Sequence, residues 1–405
     1  MKGNASNTRG WISRDGLLLS LSAFFADMGY QAVSAVFPIL IVVELKEPAY
    51  VYGILLALSY GVGSIFSYLG GLLGNRYSKK AVSLVGNLLI PLMSISVLFP
   101  NLIFIGVLFV FGWWARYFRT PVRRAWLIEV TDPRYRSKVF GFIHALDVGG
   151  GMIAVVYSIL LLLLGVGVRE IILVTLLPLI VSSLCLVAAG TNQNPEYKAY
   201  VSSQQTGEHT EGSEERSRMN DFIFRALLLS ATLFGFSYYA LGFPIVTVTQ
   251  TQHSAVLGIA TFGIYLGVSA GAGYLLGSKR GQSPLRTLWS LGYLVAALSS
   301  LAIGLSFVLK SYLALYYIGA AGLGFATGSV ETFEPVLTSI LVKSTKLSSG
   351  MGRLSSSRAL GLFVSNVVMG VIFTFSQFDS YLYAATTALL AAVILLAVEP
   401  KFRKS

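Results

Sequence analysis

Apolar residues fall along this chain in long runs separated by short polar breaks. Twelve runs are read, at roughly 16–43, 50–73, 81–99, 102–128, 139–164, 170–190, 221–247, 255–277, 285–308, 313–342, 354–376 and 381–398. Most are about 20 residues long, enough for a helix to cross a hydrocarbon core of ~30 Å. The longer ones must tilt or protrude. The break at 191–220 differs in kind: it is polar, rich in Ser, Gln and Glu, and ends the apolar pattern completely. It reads as a flexible linker. The pattern predicts an all-α membrane protein of twelve transmembrane helices, with one six-helix bundle over 1–190, a linker over 191–220 and a second bundle over 221–405. The first run is too long for a cleaved signal peptide, carries Asp27, and has no small-residue cleavage pattern after it.

Composition agrees. Hydrophobic residues make up 55% of the chain and charged residues 12%, with a mean hydropathy of +0.71. A soluble chain carries about twice that charged fraction. Of the 30 Lys and Arg, only Lys46, Arg169 and Lys310 fall on the face away from the termini. Basic residues mark the cytoplasmic side of a span, so both termini are expected in the cytoplasm and the chain in the plasma membrane. This rule and anionic lipid account for the net charge of +12 without nucleic acid, because the basic residues scatter over many short loops. Cys185 stands alone, which excludes an intramolecular disulfide and a thiol metal site. The Asn4-Ala5-Ser6 sequon lies on the expected cytoplasmic tail and is disregarded.

The two sets of six runs repeat each other. Gly29 and Phe37-Pro38-Ile39 return as Gly235 and Phe243-Pro244-Ile245, shifted by 206. Gly70-Gly71-Leu72-Leu73-Gly74-Asn75-Arg76 returns as Gly273-Tyr274-Leu275-Leu276-Gly277-Ser278-Lys279, shifted by 203. A six-plus-six parallel repeat with a cytoplasmic linker is the layout of the major facilitator superfamily. Gly71-x-x-x-Asn75-Arg76-x-Ser78-Lys79-Lys80 also resembles the Gly-x-x-x-Asp-Arg-x-Gly-Arg-Lys signature of that superfamily, with Asn75 in place of the Asp and Ser78 in place of a Gly. A further stretch, Arg116-x-x-Arg119-Thr120-Pro121-Val122-Arg123-Arg124-Ala125 through Glu129, Pro133 and Arg136 to Phe140-Gly141 and Ala145-Leu146-Asp147-x-x-Gly150, is similar to a prokaryotic branch treated as efflux permeases. In that branch the first span carries an Asp, a Glu four residues later and a Pro after seven more. Asp27, Gln31 and Pro38 stand there, Gln31 replacing the Glu. The resemblance implies two pseudo-symmetric six-helix bundles in the major facilitator fold, with spans 1, 4, 7 and 10 lining a central cavity.

Candidate chemistry sits on those spans. A carboxylate at the depth of Asp27 costs several kcal/mol in lipid unless it faces a partner or water. Burial favours its neutral form and a nearby cation its charged form, so alternating access can load and unload a proton there. The bland alternative is a fixed ion pair with an arginine of span 4. Arg116, Arg119 and Arg123 share one helical face at i, i+3 and i+7. Arginine holds its proton, so these residues bind anions or pin carboxylates but carry no protons. Arg116 lies level with Asp27 and is paired with it or with substrate. Arg123 and Arg124 lie near the headgroups, where snorkelling and gating contacts are expected.

Glu331 and Glu334 share a face of span 10 and suit a proton or cation site, or gate contacts to Arg353 or Arg358. Asp147 and Arg358 hold corresponding repeat positions, shifted by 211 as Gly141 and Gly150 are from Gly352 and Gly361, and are expected to gate the cytoplasmic mouth with Asn75, Arg76, Arg123, Arg124 and Glu129. His144 shares the face of Asp147, though a lone histidine more often packs. Gly149-Gly150-Gly151 admits a close neighbour, but the Gly-Pro that an antiporter motif would place next is Ala154-Val155. Tyr238 and Tyr239 on span 7, and Trp113 and Trp114 on span 4, are candidates to stack on an organic solute or simply to pack.

These readings predict a proton-coupled secondary transporter exporting a small solute, a monomer in the lipid bilayer. The rivals are uptake or facilitated diffusion of an organic anion clamped by Arg116 and Arg119, and a sensor that binds ligand without turnover. No phosphate-cradling loop, catalytic triad or metal cluster is read, so neither enzyme activity nor a cofactor is expected.

Overall fold

With no water in a bilayer core to satisfy N–H and C=O groups, an apolar run must close its hydrogen bonds internally, as a helix does. The computed structural model describes residues 11–47, 49–207, 213–237, 244, 247–248, 251–252, 255–279, 281–309 and 313–402, and among them no strand occurs. The first half comprises α1 (Arg14–Ile39), α2 (Ala49–Arg76), α3 (Lys79–Leu98), α4 (Leu102–Glu129), α5 (Arg136–Leu163) and α6 (Val168–Ala188). The second comprises α7 (Ser213–Ser237), α8 (Ala255–Ser278), α9 (Pro284–Val308), α10 (Leu313–Leu341), α11 (Leu347–Phe375) and α12 (Gln377–Phe402). Among the described residues, eleven spans are long and apolar enough to cross a membrane. The eighth expected run is outside those eleven and forms the 24-residue α8. Tyr238, Tyr239, Phe243, Ile245, Lys310 and the Asn4-Ala5-Ser6 sequon lie outside the described residues.

Local chemistry sets several helix boundaries. Ser13 accepts from the Gly16 N–H at 3.0 Å and Asn101 from the Ile103 N–H at 2.7 Å, each satisfying a donor that the first helical turn leaves orphaned. Helices α4 and α10 each contain an internal proline, Pro121 and Pro335. In α9 the segment Leu288–Leu294 widens into a π-helix, a local change that often marks functional positions.

Each half has its own apolar core. One joins residues of α7 to α12, among them Leu227, Tyr293, Phe333 and Leu395; another joins Tyr30, Phe37, Phe109 and Trp113 of the first half. The halves meet along α2 with α11 and α5 with α8. Glycine makes these approaches close: a Cβ on Gly71 would lie 2.6 Å from the Ser348 carbonyl oxygen and 2.9 Å from the Gly352 Cα. On α5, a Cβ on Gly141 would overlap the Gly273 carbonyl. Small residues at such crossings let van der Waals packing join helices that lipid cannot push together.

The break between the halves departs from the flexible linker expected. Pro195–Gly207 forms a helix. Its Tyr197 is buried, the Arg136 guanidinium lies 4.6 Å from the Tyr200 ring centroid, and the Asn194 N–H donates to the Glu129 carbonyl at 2.9 Å. Buried aromatic area and a cation over a ring hold this segment where composition alone suggested disorder.

Candidate functional site

Asp27 is 7% exposed in the middle of α1. The Tyr30 hydroxyl, one turn further on, donates to its Oδ1. The ring of the same tyrosine lies beneath Arg116, with the guanidinium carbon 4.7 Å from the ring centroid. Trp113 and Tyr117 flank that guanidinium at 5.1 and 5.6 Å. The sequence paired Arg116 with Asp27 or with substrate; in the structure Tyr30 lies between the two and touches both. The reason is reach: an i, i+3 neighbour on the same helix meets Asp27 locally, while the rings of α1 and α4 take the guanidinium.

The other arginines of α4 have separate partners. Arg119 is 1% exposed, and its Nη1 donates to Asn87 Oδ1 on α3. Asn87 Nδ2 in turn donates to Ser183 Oγ at 2.8 Å and to Ser182 Oγ at 3.2 Å, and Ser182 Oγ donates to the Ser22 carbonyl at 2.7 Å. Arg119 is thus locked in a neutral polar network and does not join Arg116 in a clamp. Arg123, 3% exposed, lies with Nη2 3.7 Å from Asp147 Oδ1 on α5. It is buried against its own half and does not snorkel toward headgroups.

A second cluster lies on α10 and α11. Arg358 donates to both Glu331 and Glu334, and the Tyr293 hydroxyl, from the π-helical part of α9, donates to Glu334 Oε1 at 2.5 Å. Arg353 instead lies over the Phe224 ring at 5.5 Å, so Arg358 alone of the two candidates reaches the acids. Glu331 also faces the first half: Arg124 Nη2 donates to its Oε2 at 2.7 Å.

Further contacts join the halves. Asn75 Oδ1 on α2 accepts from the Ser349 N–H at 3.3 Å. Arg136 Nη1 donates to the Ser339 carbonyl at 3.2 Å. His144 Nε2 lies 2.8 Å from Ser269 Oγ of α8. Glu129 pairs with Lys79 at 2.9 Å, and Arg76 is exposed. Gln31 packs toward Gly151 of α5.

The structure therefore divides the expected site into an α1–α4–α5 cluster and an α10–α11 cluster, joined by Arg124–Glu331. Three participants escaped the sequence reading: Tyr30, Asn87 and Tyr293. Asn87 carried a signal, being an amide inside an apolar run, where polar side chains face protein. The two tyrosines carried none, because a ring reads as core.

Ion pairs thus lie inside two halves built of helices long and apolar enough to cross a membrane, with a bridge between the halves. The match to the family model of the Major Facilitator Superfamily spans residues 19–364, and the chain belongs to that superfamily. It is a transporter rather than an enzyme, set in a membrane and acting on a small molecule. No curated protein matches it. Among solved structures it is similar to the proton:xylose symporter XylE bound to 6-bromo-6-deoxy-D-glucose, at 14% identity and TM-score 0.70, covering 96% of this chain and 95% of that one. The human organic anion transporter MFSD10 (TETRAN) aligns at 12% identity and TM-score 0.74, over 94% and 99%. A bacterial homologue of the iron transporter ferroportin, in an outward-facing state, aligns at 14% identity and TM-score 0.64, over 95% and 99%. At these identities the likeness is one of fold.

Proposed function

We propose that this chain is a proton-coupled secondary transporter that exports a small organic solute by alternating access, with Asp27 as the proton-carrying group. The observation that carries this reading is Asp27 itself, a buried carboxyl in mid-span with a tyrosine hydroxyl on one oxygen. Such a group costs too much in a membrane to be idle. In this reading Asp27, Gln31 and Arg116 face the solute, and Arg119 holds the shape of α4. Arg124, Asn75, Asp147 and Arg358, with the acids Glu331 and Glu334, govern the mouth near the termini. Residues 1–190 and 221–405 rock about that site as two bundles joined by 191–220. The chain works as a monomer in the plasma membrane with cytoplasmic termini, a reading that rests on the bias of Lys and Arg toward one face. The symporter XylE shares the fold, which is compatible with proton coupling.

A second reading is favoured by charge. Arg116, Arg119 and Arg123 of α4 outnumber Asp27 and Asp147, an excess that suits an organic anion carried together with the proton. The organic anion transporter MFSD10 has the same fold.

The test is lumenal pH in sealed proteoliposomes challenged with drugs, sugars, carboxylates and metal ions, with Asp27→Asn alongside. Solute-dependent proton movement that disappears in the variant is expected. Opposed movement supports export by antiport, and parallel movement the anion reading. Ligand-induced thermal stabilisation with no proton movement for any solute overturns the coupling and leaves a facilitator or a sensor.

A further inference from the structure

We propose that Arg116 and the rings around it bind the anionic group and ring face of a planar aromatic acid. The inference names the substrate class of the transport site and rests on that reading of the chain.

Charge is the first ground. The cluster on α10 and α11, with the arginine that bridges to it, is balanced: Arg124 and Arg358 meet Glu331 and Glu334. The cluster of the first half is not, since Arg116, Arg119 and Arg123 stand with only Asp27 and Asp147. An uncompensated charge removed from water is costly until an opposite charge reaches it.

Burial shows which arginine presents that excess. Arg119 and Arg123 are 1% and 3% exposed and engaged with Asn87 and Asp147. Arg116 is part-exposed, and its Nε is buried without a hydrogen-bond partner. The direction of that exposure follows from helix geometry. Ile103, Phe104, Val107 and Phe111 are the exposed large apolar residues of α4 and mark its lipid face. At about 100° per residue Arg116 lies on the opposite side of the helix, toward the interior. Arg116 therefore lies on the protein-facing side of α4, among rings and away from lipid.

The surroundings select the rest of the ligand. Tyr30, Trp113 and Tyr117 lie 4.7, 5.1 and 5.6 Å from the guanidinium carbon. Tyr60 of α2 extends the group, its ring 6.1 Å from Trp113 and 6.4 Å from Tyr117. A guanidinium fixed among rings offers a planar fork of donors beside apolar faces. That pair of features matches an acid group attached to an aromatic plane better than it matches a sugar or a cation. A cation would meet like charge at Arg116, and a sugar would leave the excess charge unbalanced.

The experiment titrates the purified full-length protein in lipid nanodiscs, by calorimetry and tryptophan fluorescence. The probes are 2-naphthoate, 2-naphthylmethylamine, 2-naphthalenemethanol and cyclohexanecarboxylate. The expected result is binding of 2-naphthoate with each other probe about tenfold weaker or worse, a gap of ~1.4 kcal/mol. Arg116→Gln is expected to weaken 2-naphthoate by at least about tenfold, and Trp113→Leu to erase its advantage over cyclohexanecarboxylate. If Arg116→Gln gives no cooperative melt, Arg116→Lys replaces it, with the same loss expected because the planar fork is gone. Preference for the amine, equal binding of the two acids, unchanged affinity in the Arg116 variant, or no acid binding by folded protein overturns the assignment. Failure here is separable from failure of coupling. Asp27-dependent proton movement driven by an amine overturns the aromatic acid and leaves coupling standing; acid binding without proton movement does the reverse.

Discussion

Arg123 and Glu334 occupy the same place in the two halves, 211 residues apart, and carry opposite charges. Their partners obey the same shift: Arg123 meets Asp147 on α5, and Glu334 meets Arg358 on α11. Each half thus ties equivalent helices with an ion pair, and the polarity is reversed between them. A separate contact joins the halves, with Arg124 Nη2 2.7 Å from Glu331 Oε2.

The two pairs are expected to differ in weight. Arg358→Leu leaves Glu331 and Glu334 crowded without their shared cation, and removing one partner of a buried pair costs about 3–5 kcal/mol. Asp147→Leu breaks a longer contact whose carboxylate is partly exposed, and is expected to cost about 1–3 kcal/mol because Arg123 stays buried. Chemical unfolding in detergent compares them; equal losses would refute the distinction. The exchange Arg124→Glu with Glu331→Arg is expected to restore transport that either change alone removes.

Tyr30 has two jobs that substitution can separate. Tyr30→Phe removes the hydroxyl from Asp27 and keeps the ring under Arg116, with an expected loss of about 1 kcal/mol. Tyr30→Leu removes both, adding about 1–2 kcal/mol for the cation–ring contact. Unfolding curves that superimpose for the two variants would count against the two separate jobs.

Asn87 holds a buried cation with a neutral amide. Asn87→Leu strands Arg119 and is expected to destabilise the protein by about 3 kcal/mol or more. Asn87→Asp supplies a full counter-charge at the same size and is expected to melt at least as high as wild type. The opposite order of melting temperatures would show that Arg119 draws its support elsewhere.

At the loop before α5, Asp132 caps the turn Pro133–Tyr135, accepting from the Arg134 N–H at 2.9 Å and from the guanidinium at 2.6 Å. The Arg134 side-chain hydrogen bonds hold its carboxyl below the usual carboxylate range. A lowered value in the folded state means that the stabilisation is present above the ordinary range and is lost as pH falls through the folded value. Asp132→Ala is expected to cost less than about 1 kcal/mol at neutral pH, because the site is solvent-screened. Its melting temperature should converge with that of wild type in acid; a constant gap would assign the effect to the backbone turn.

What the sequence determined by itself is the membrane fold. Run length, charge asymmetry and the repeat are properties of the chain that the bilayer reads directly, because helix is the available answer to an apolar run of that length. The residues with chemistry were also legible, since ionisable groups such as Asp27, Arg116 and Glu331 are conspicuous inside apolar runs. Their partners were not. The sequence placed Arg116 level with Asp27, yet whether they touch depended on where the Tyr30 ring lies between α1 and α4. Arg119 looked like a second clamp residue until α3 brought Asn87 to it, and composition hid the linker helix because its order comes from Tyr197 and Tyr200 meeting Arg136. Periodicity says which side of a helix a residue shares; it carries no record of how neighbouring helices are rotated against that side. That rotation is set by packing, at crossings such as Gly71 with Gly352, and only the tertiary structure decided it.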